Sequence, residues 1–226
     1  MKIAYIVQCH KNPAQLNLLF QQLLKQNCDV YIHIDKKVTD MDSLIISHPN
    51  LFVLPFNKRV KVGWGGISQV DATLQLIKCV VESSRQYDYI WLISGQDFPI
   101  KKQSQIIDFL KLNNGSCFID CDSTDTRRYV RLLKRNEVMH SAWISGKGIF
   151  QRIVRNVWYM VSGGRYHTFK WFKRRMNGDK FYFGSSWWCL PFECCKEMLA
   201  YLQENEQFYI FYKQCHCPDE SFFKHC

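Results

Sequence analysis

Three apolar runs in this chain end on acids or a histidine, and those ends are where chemistry is first to be sought. They are Asp29-Val-Tyr-Ile-His-Ile-Asp35, Tyr89-Ile-Trp-Leu-Ile-Ser-Gly-Gln-Asp97 and Cys117-Phe-Ile-Asp-Cys-Asp122. Each run is short and rich in β-branched or aromatic residues, the pattern of a buried strand. In an open α/β sheet, ligands bind beyond the carboxyl ends of the strands, so a small, polar, acidic turn there marks a candidate binding edge. The stretch from Tyr87 to Lys101 is the clearest case, with Ser94-Gly95-Gln96-Asp97 after the strand and Pro99 beyond it. Asp97 also has a plain structural reading, as a cap for the next helix. Asp120 and Asp122 stand two apart, a spacing that can hold a divalent ion against a diphosphate. Asp40 and Asp42 match it equally well, and solvated loop acids are the competing reading.

Two later segments add polar groups. Phe181 to Leu190 is strand-like and carries Gly184, Ser185 and Ser186 before the pair Trp187-Trp188. Flat rings beside hydroxyls suit the face of a sugar, although burial is the ordinary fate of a tryptophan. Pro218-Asp219-Glu220 reads as the first turn of a helix, where the macrodipole favours acids, and that alone explains both carboxylates. The cluster Cys215, His216, Cys217, His225, Cys226 is a weak metal candidate, because no CxxC pair accompanies it. Eleven cysteines, an odd number, in a chain without a leader point instead to free, mostly buried thiols.

The elements that position these residues follow from periodicity. Ile3–Val7 predicts a first strand, and Asn12 caps a helix over 14–26 that has Pro13 in its first turn and Leu16, Leu19, Phe20 and Leu23 on one face. The run ending at Asp35 is a second strand, and Phe52-Val-Leu-Pro is a weaker third. Three glycines surround Trp64 in GWGG, without phosphate-loop spacing. A helix over 68–85 follows, with Val70, Leu74, Ile77 and Val81 as core. Further helices are expected over 103–112 and 193–203, with a strand at 117–119. Alternating strands and helices with short connections predict a parallel α/β sheet.

The chain's 226 residues, 47% of them hydrophobic, suffice for one domain with a sizeable core. No apolar run approaches the roughly 20 residues that span a bilayer. The N-terminus reads as a strand and not as a signal peptide, which predicts a cytoplasmic chain. A net charge of +10 suits a nucleotide diphosphate, a nucleic acid or an anionic membrane surface. Between residues 127 and 175, Arg and Lys interleave with Phe, Tyr and Trp, beginning with Arg127. That pattern suits a membrane interface or single-stranded nucleic acid, beside the plainer reading of a solvated basic face. With no nucleic-acid module visible, the membrane surface is preferred, through residues 150–175.

Taken together, AYIVQCHKN, VYIHIDKK, GWGGISQVDATL, YIWLISGQDFPIK, FGSSWW and PDESFF resemble, in order and spacing, the core-2/I branching β-1,6-N-acetylglucosaminyltransferases and peptide O-xylosyltransferases. The resemblance covers about residues 3–112 and 181–223. It implies a GT-A-like α/β fold, on which the chain divides into a nucleotide-binding part (1–125), a basic-aromatic insertion (126–180) outside the match, and an acceptor and catalytic part (181–226). It implies inverting transfer of GlcNAc or xylose from a UDP-sugar to a glycan, lipid-linked or protein acceptor, with no metal and no other cofactor. Glu220 then matches the catalytic base, while His10, Asp35 and Trp64 match positions lining the donor nucleotide. Asp97 falls where metal-dependent relatives carry a DxD. Ser185, Trp187 and Trp188 fall beside the transferred sugar and acceptor, and Asp219 orients the loop or meets the acceptor. Relatives carry the basic residues that grip the diphosphate beyond PDE, whereas this chain ends at Cys226, so Lys101, Arg127 and Lys224 are the candidate substitutes. An inactive remnant that binds UDP-sugar or a membrane is the alternative.

Overall fold

A computed structural model of the chain describes residues 1–122, 136, 148–161 and 181–224. The expectations placed on Arg127, on the basic and aromatic residues of 165–175, and on His225 and Cys226 lie outside the described residues. The chain divides into two compact units that are discontinuous in sequence. The first comprises Met1–Val62, Asp71–Ile119 and Trp187–Ala200, and the second comprises Gly63–Val70, Asp120–Ser186 and Tyr201–Cys226.

The first unit is built on a sheet. Strands β1 (Ile3–Cys9) and β2 (Cys28–Ile34) pair in parallel, as do β1 and β4 (Tyr89–Ser94), and β2 and β3 (Leu51–Val53). Almost every residue of β1 and β2 is buried. Their sequences are therefore continuous apolar runs and do not alternate, as expected of parallel strands covered on both faces. The six strands run in the order β3-β2-β1-β4-β6-β5. The sheet is mixed and not purely parallel, because β6 (Trp188–Pro191) runs antiparallel to both β4 and β5 (Phe118–Ile119). The strand expected over 181–190 forms only in its last part. Upstream, the Gly184 N–H donates to the Glu220 carbonyl and the Ser185 N–H to the Asp120 carboxylate, so neither is left for a ladder.

Helix α1 (Pro13–Leu23) buries Leu16, Leu19, Phe20 and Leu23, the predicted face. Asn12 departs from its expected role as a side-chain cap. It adopts φ 57° and ψ 62° and makes no side-chain cap bond. The turn out of β1 needs a left-handed residue, which asparagine tolerates better than most. Helix α2 (Ser68–Val81) buries Val70, Leu74 and Ile77, with Val80 in place of Val81. It stops short of Arg85, whose guanidinium instead lies 2.9 Å from the buried carboxylate of Asp29. Helix α3 (Gln103–Leu112) matches its predicted span. The described cysteines are free, and Cys9, Cys28, Cys189, Cys195 and Cys215 are buried; burial pushes the Cys9 thiol up to about 12.

The second unit contains helix α4 (Ile149–Val161) and, after helix α5 (Phe192–Glu204), helix α6 (Glu206–Tyr212). Phe208 and Tyr212 of α6 pack on Phe222, with ring centroids 5.2 and 5.3 Å apart. Such edge-on pairs contribute about 0.5–1.5 kcal/mol each beyond their buried area. They fix the short turn Pro218–Glu220 from its C-terminal side.

Candidate functional site

The parallel strands of the first unit reverse direction of growth between β1 and β4, which is the switch point where α/β sheets open a crevice. The strand ends there are tied by their backbones. Gly95 N–H donates to the Gln8 carbonyl at 2.8 Å, and Asp35 N–H donates to the Cys9 carbonyl at 2.9 Å. A Cβ on Gly95 would lie 2.6 Å from the Cys9 Cβ and 2.7 Å from Leu16 Cδ2, so only glycine fits. His10 is exposed at this edge. Asp35 accepts from the N–H groups of Lys37 at 3.0 Å and Val62 at 3.3 Å, with the Lys37 ammonium 3.5 Å away. Beneath it, buried His33 accepts from the Val60 N–H through Nε2 at 2.9 Å. Burial pushes His33 down to about 4, against the upward pull of Asp35, so the ring is neutral. The 54–60 segment is held by buried Arg59, whose Nε donates to the Leu54 carbonyl while its two terminal nitrogens grip Asp42. Asp42 is thus a structural anion, and the Asp40/Asp42 spacing marks no ligand site.

Asp97 accepts from the Ser94 N–H at 2.8 Å. It closes its own turn and does not cap α3. Lys101 is not brought to this edge. It lines a surface cleft with Gln22, Lys25 and Gln26. Gln103, two residues on, donates to the Cys28 sulfur at the start of β2. That is the amino end of the sheet, a strand length from Asp35. Trp188 also departs from its expected role. It is buried in β6, paired with Leu92 and Ile119, and closed to a sugar ring, whereas Trp187 is partly exposed.

The second unit gathers the remaining candidates. The Glu220 turn is entered through Cys217 at φ 51°, and the Cys217 N–H donates to the Gly65 carbonyl at 2.9 Å. Gly65, at φ +73°, leaves no room for a Cβ, which would sit 2.9 Å from the His216 ring. The neighbouring Trp64 is 79% exposed and meets His216 edge-on, with centroids 5.7 Å apart. The Ser186 hydroxyl donates to the carboxylate of buried Asp219. Charge-assisted bonds of this kind contribute about 1.5–3 kcal/mol. Gly184 lies against Asp120, where a Cβ would come within 2.0 Å of the carbonyl oxygen. Asp122 joins this group through its backbone, bonded both ways to Phe183. Lys224 donates to the Ser185 carbonyl at 2.8 Å. Burial pushes its ammonium down to about 8, against the opposing influence of Asp120, Asp219, Cys121 and Glu220. At neutral pH it remains a cation among carboxylates.

Sequence reasoning weighed Lys224 only as one of three possible cations, and it missed Ser186 as the partner of Asp219. The FGSS motif was the available signal, but it was read for its hydroxyls facing a ligand and not facing the protein.

Fold and residues together define an α/β protein with a polar edge at the strand switch point of its first unit and, in its second, carboxylates whose charges act on one buried lysine. The Core-2/I-Branching enzyme model matches residues 3–225, and the chain belongs to that family. Among curated relatives, human N-acetyllactosaminide beta-1,6-N-acetylglucosaminyl-transferase is 32% identical over 114 residues, covering 48% of this chain and 28% of the relative. A pig protein described as a probable beta-1,3-galactosyl-O-glycosyl-glycoprotein beta-1,6-N-acetylglucosaminyltransferase 7 is 37% identical over 120 residues, covering 48% and 26%. The xylosyltransferase oxt of Drosophila melanogaster is 27% identical over 124 residues, covering 52% and 14%. The chain thus matches little more than a quarter of the length of these relatives, or less. Among solved structures, mouse xyloside xylosyltransferase 1 superposes with a TM-score of 0.42 at 12% identity, covering 99% of this chain and 80% of that one.

Proposed function

We propose that this chain transfers GlcNAc or xylose from a UDP-sugar to an acceptor hydroxyl on a glycan, lipid or protein, with inversion and without a metal. Glu220 is the general base. As the acceptor oxygen attacks the anomeric carbon, the bond to the UDP oxygen breaks and the acceptor proton passes to the Glu220 carboxylate. His10 and Asp35 bind the nucleotide. Ser185 faces the sugar and acceptor. Asp219 orients the catalytic turn through Ser186. Lys224 supplies positive charge for the departing diphosphate, a role that a fixed cation performs well in a partly desolvated site.

The observation that carries this reading is the Glu220 turn itself. Its carbonyl is held by Gly184, its neighbour Asp219 by Ser186, and a lysine that is a cation at neutral pH lies among its carboxylates. The test is UDP release from UDP-GlcNAc and UDP-xylose, with and without chelator, in wild type and Glu220→Gln. Release that survives chelation and disappears in the variant supports the reading and ranks the donors. Release abolished by chelator would overturn metal independence, and release unaffected by Glu220→Gln would overturn the base assignment.

A further inference from the structure

Helix α4 turns an apolar face to solvent. Ile149, Ile153 and Val157 recur every four residues, so they share one side of the helix, and they are 73%, 56% and 53% exposed. Phe150 is exposed beside them, and so is Arg152, one turn on from Ile149. A soluble helix ordinarily buries such a stripe. The surrounding sequence is as one-sided in charge as the helix is in hydrophobicity: between Glu137 and Asp179 stand eight Lys and Arg residues and no acid.

The length of the helix decides how it meets a membrane. Thirteen residues reach about 20 Å, short of the ~30 Å hydrocarbon core. No described helix is long and apolar enough to cross a membrane. A short helix with an exposed apolar stripe and cationic surroundings lies in the plane of the interface, apolar side down, with its cations toward anionic headgroups.

We propose that Ile149–Val161 is an interfacial anchor that docks this chain on an anionic lipid surface. Ile149, Ile153 and Val157 enter the acyl boundary, and Arg152 meets the phosphates. A second copy of the chain is the weaker occupant, since the same excess of Lys and Arg in this stretch of each copy would repel the other. This inference is independent of the transfer reaction.

The test is co-sedimentation of the full chain with phosphatidylcholine vesicles, with and without phosphatidylserine, in wild type and in the pair Ile153→Asp plus Val157→Asp. The wild type is expected to bind the anionic vesicles about tenfold or more tightly than the neutral ones, with loss at high salt. The double variant is expected to lose that binding while keeping the wild-type melting temperature, because both side chains are exposed. Arg152→Glu is expected to weaken binding severalfold. Equal pelleting with neutral vesicles would overturn the proposal. So would anionic binding that the double variant retains, which would mean charge alone is acting. Wild-type self-association abolished by the double variant, with no vesicle binding, would assign the face to a second copy.

Discussion

In the first unit, Asp35 and Asp97 accept hydrogen bonds from main-chain N–H groups, and Asp42 is gripped by a buried guanidinium. In the second unit, Asp120 accepts from the Ser185 N–H and Asp219 from the Ser186 hydroxyl, and together with Glu220 they favour the charged form of Lys224 against its burial. The first arrangement ties each acid to main-chain N–H groups or to a buried guanidinium. The second brings acids from two distant stretches of sequence within electrostatic reach of one buried ammonium, a condition under which a proton or a leaving anion can be handled. In the proposed function, donor binding by His10 and Asp35 falls to the first unit and the general base to the second, and each assignment can be broken separately.

The largest effect is expected from Gly184→Ala. Its Cβ would meet a backbone carbonyl that cannot rotate away, so the second unit should lose about 3 kcal/mol or more, measured by chemical denaturation. Gly95→Ala is expected to cost less, about 1–3 kcal/mol, because part of its clash is with the movable end of Leu16. If the two costs came out reversed, the second unit would be the more forgiving one.

Next comes the acid limb of stability. His33 has a folded-state value of about 4, below its ordinary 6.5, so the unfolded chain binds the proton more readily. Its contribution is full above about pH 6.5 and is lost as pH falls toward 4, on the order of 1–3 kcal/mol. Thermal melts of wild type and His33→Gln across that window check it, and the variant should lack this part of the slope.

Lys224 gives a stability effect of similar size and the most specific effect on turnover. Its folded value of about 8 also lies below the ordinary 10.5, so below pH 8 the protein bears the cost of holding a buried ammonium. Stability is expected to rise from pH 8 to 10.5, and Lys224→Met should flatten that rise. Turnover should move the other way, falling in the wild type as pH passes 8, because the cation that meets the diphosphate is lost. Lys224→Arg should hold the rate above pH 8.

The elements of the first unit were legible because their signals are local. Continuous apolar runs gave β1, β2 and β4, and the spacing of Leu16, Leu19, Phe20 and Leu23 gave α1. The candidate catalytic turn was legible only through the combination of FGSSWW and PDESFF. What escaped depends on tertiary reach. Ser186 and Asp219 are 33 residues apart and nothing local pairs them. Trp187 and Trp188 are neighbours of one type, yet Trp188 opens β6 and is buried, while Trp187 lies just outside the strand and is partly exposed. Lys101 follows the polar turn closely in sequence, but the chain carries it to the amino end of the sheet before α3 begins.

The division between binding and chemistry is tested most directly by setting Asp35→Asn beside Glu220→Gln, with UDP affinity from calorimetry and transfer rate at saturating donor. Glu220→Gln is predicted to lower the saturated rate by about 100-fold or more with UDP affinity unchanged, while Asp35→Asn weakens UDP binding and spares the saturated rate. A Glu220→Gln protein that turns over at the wild-type rate would contradict the account.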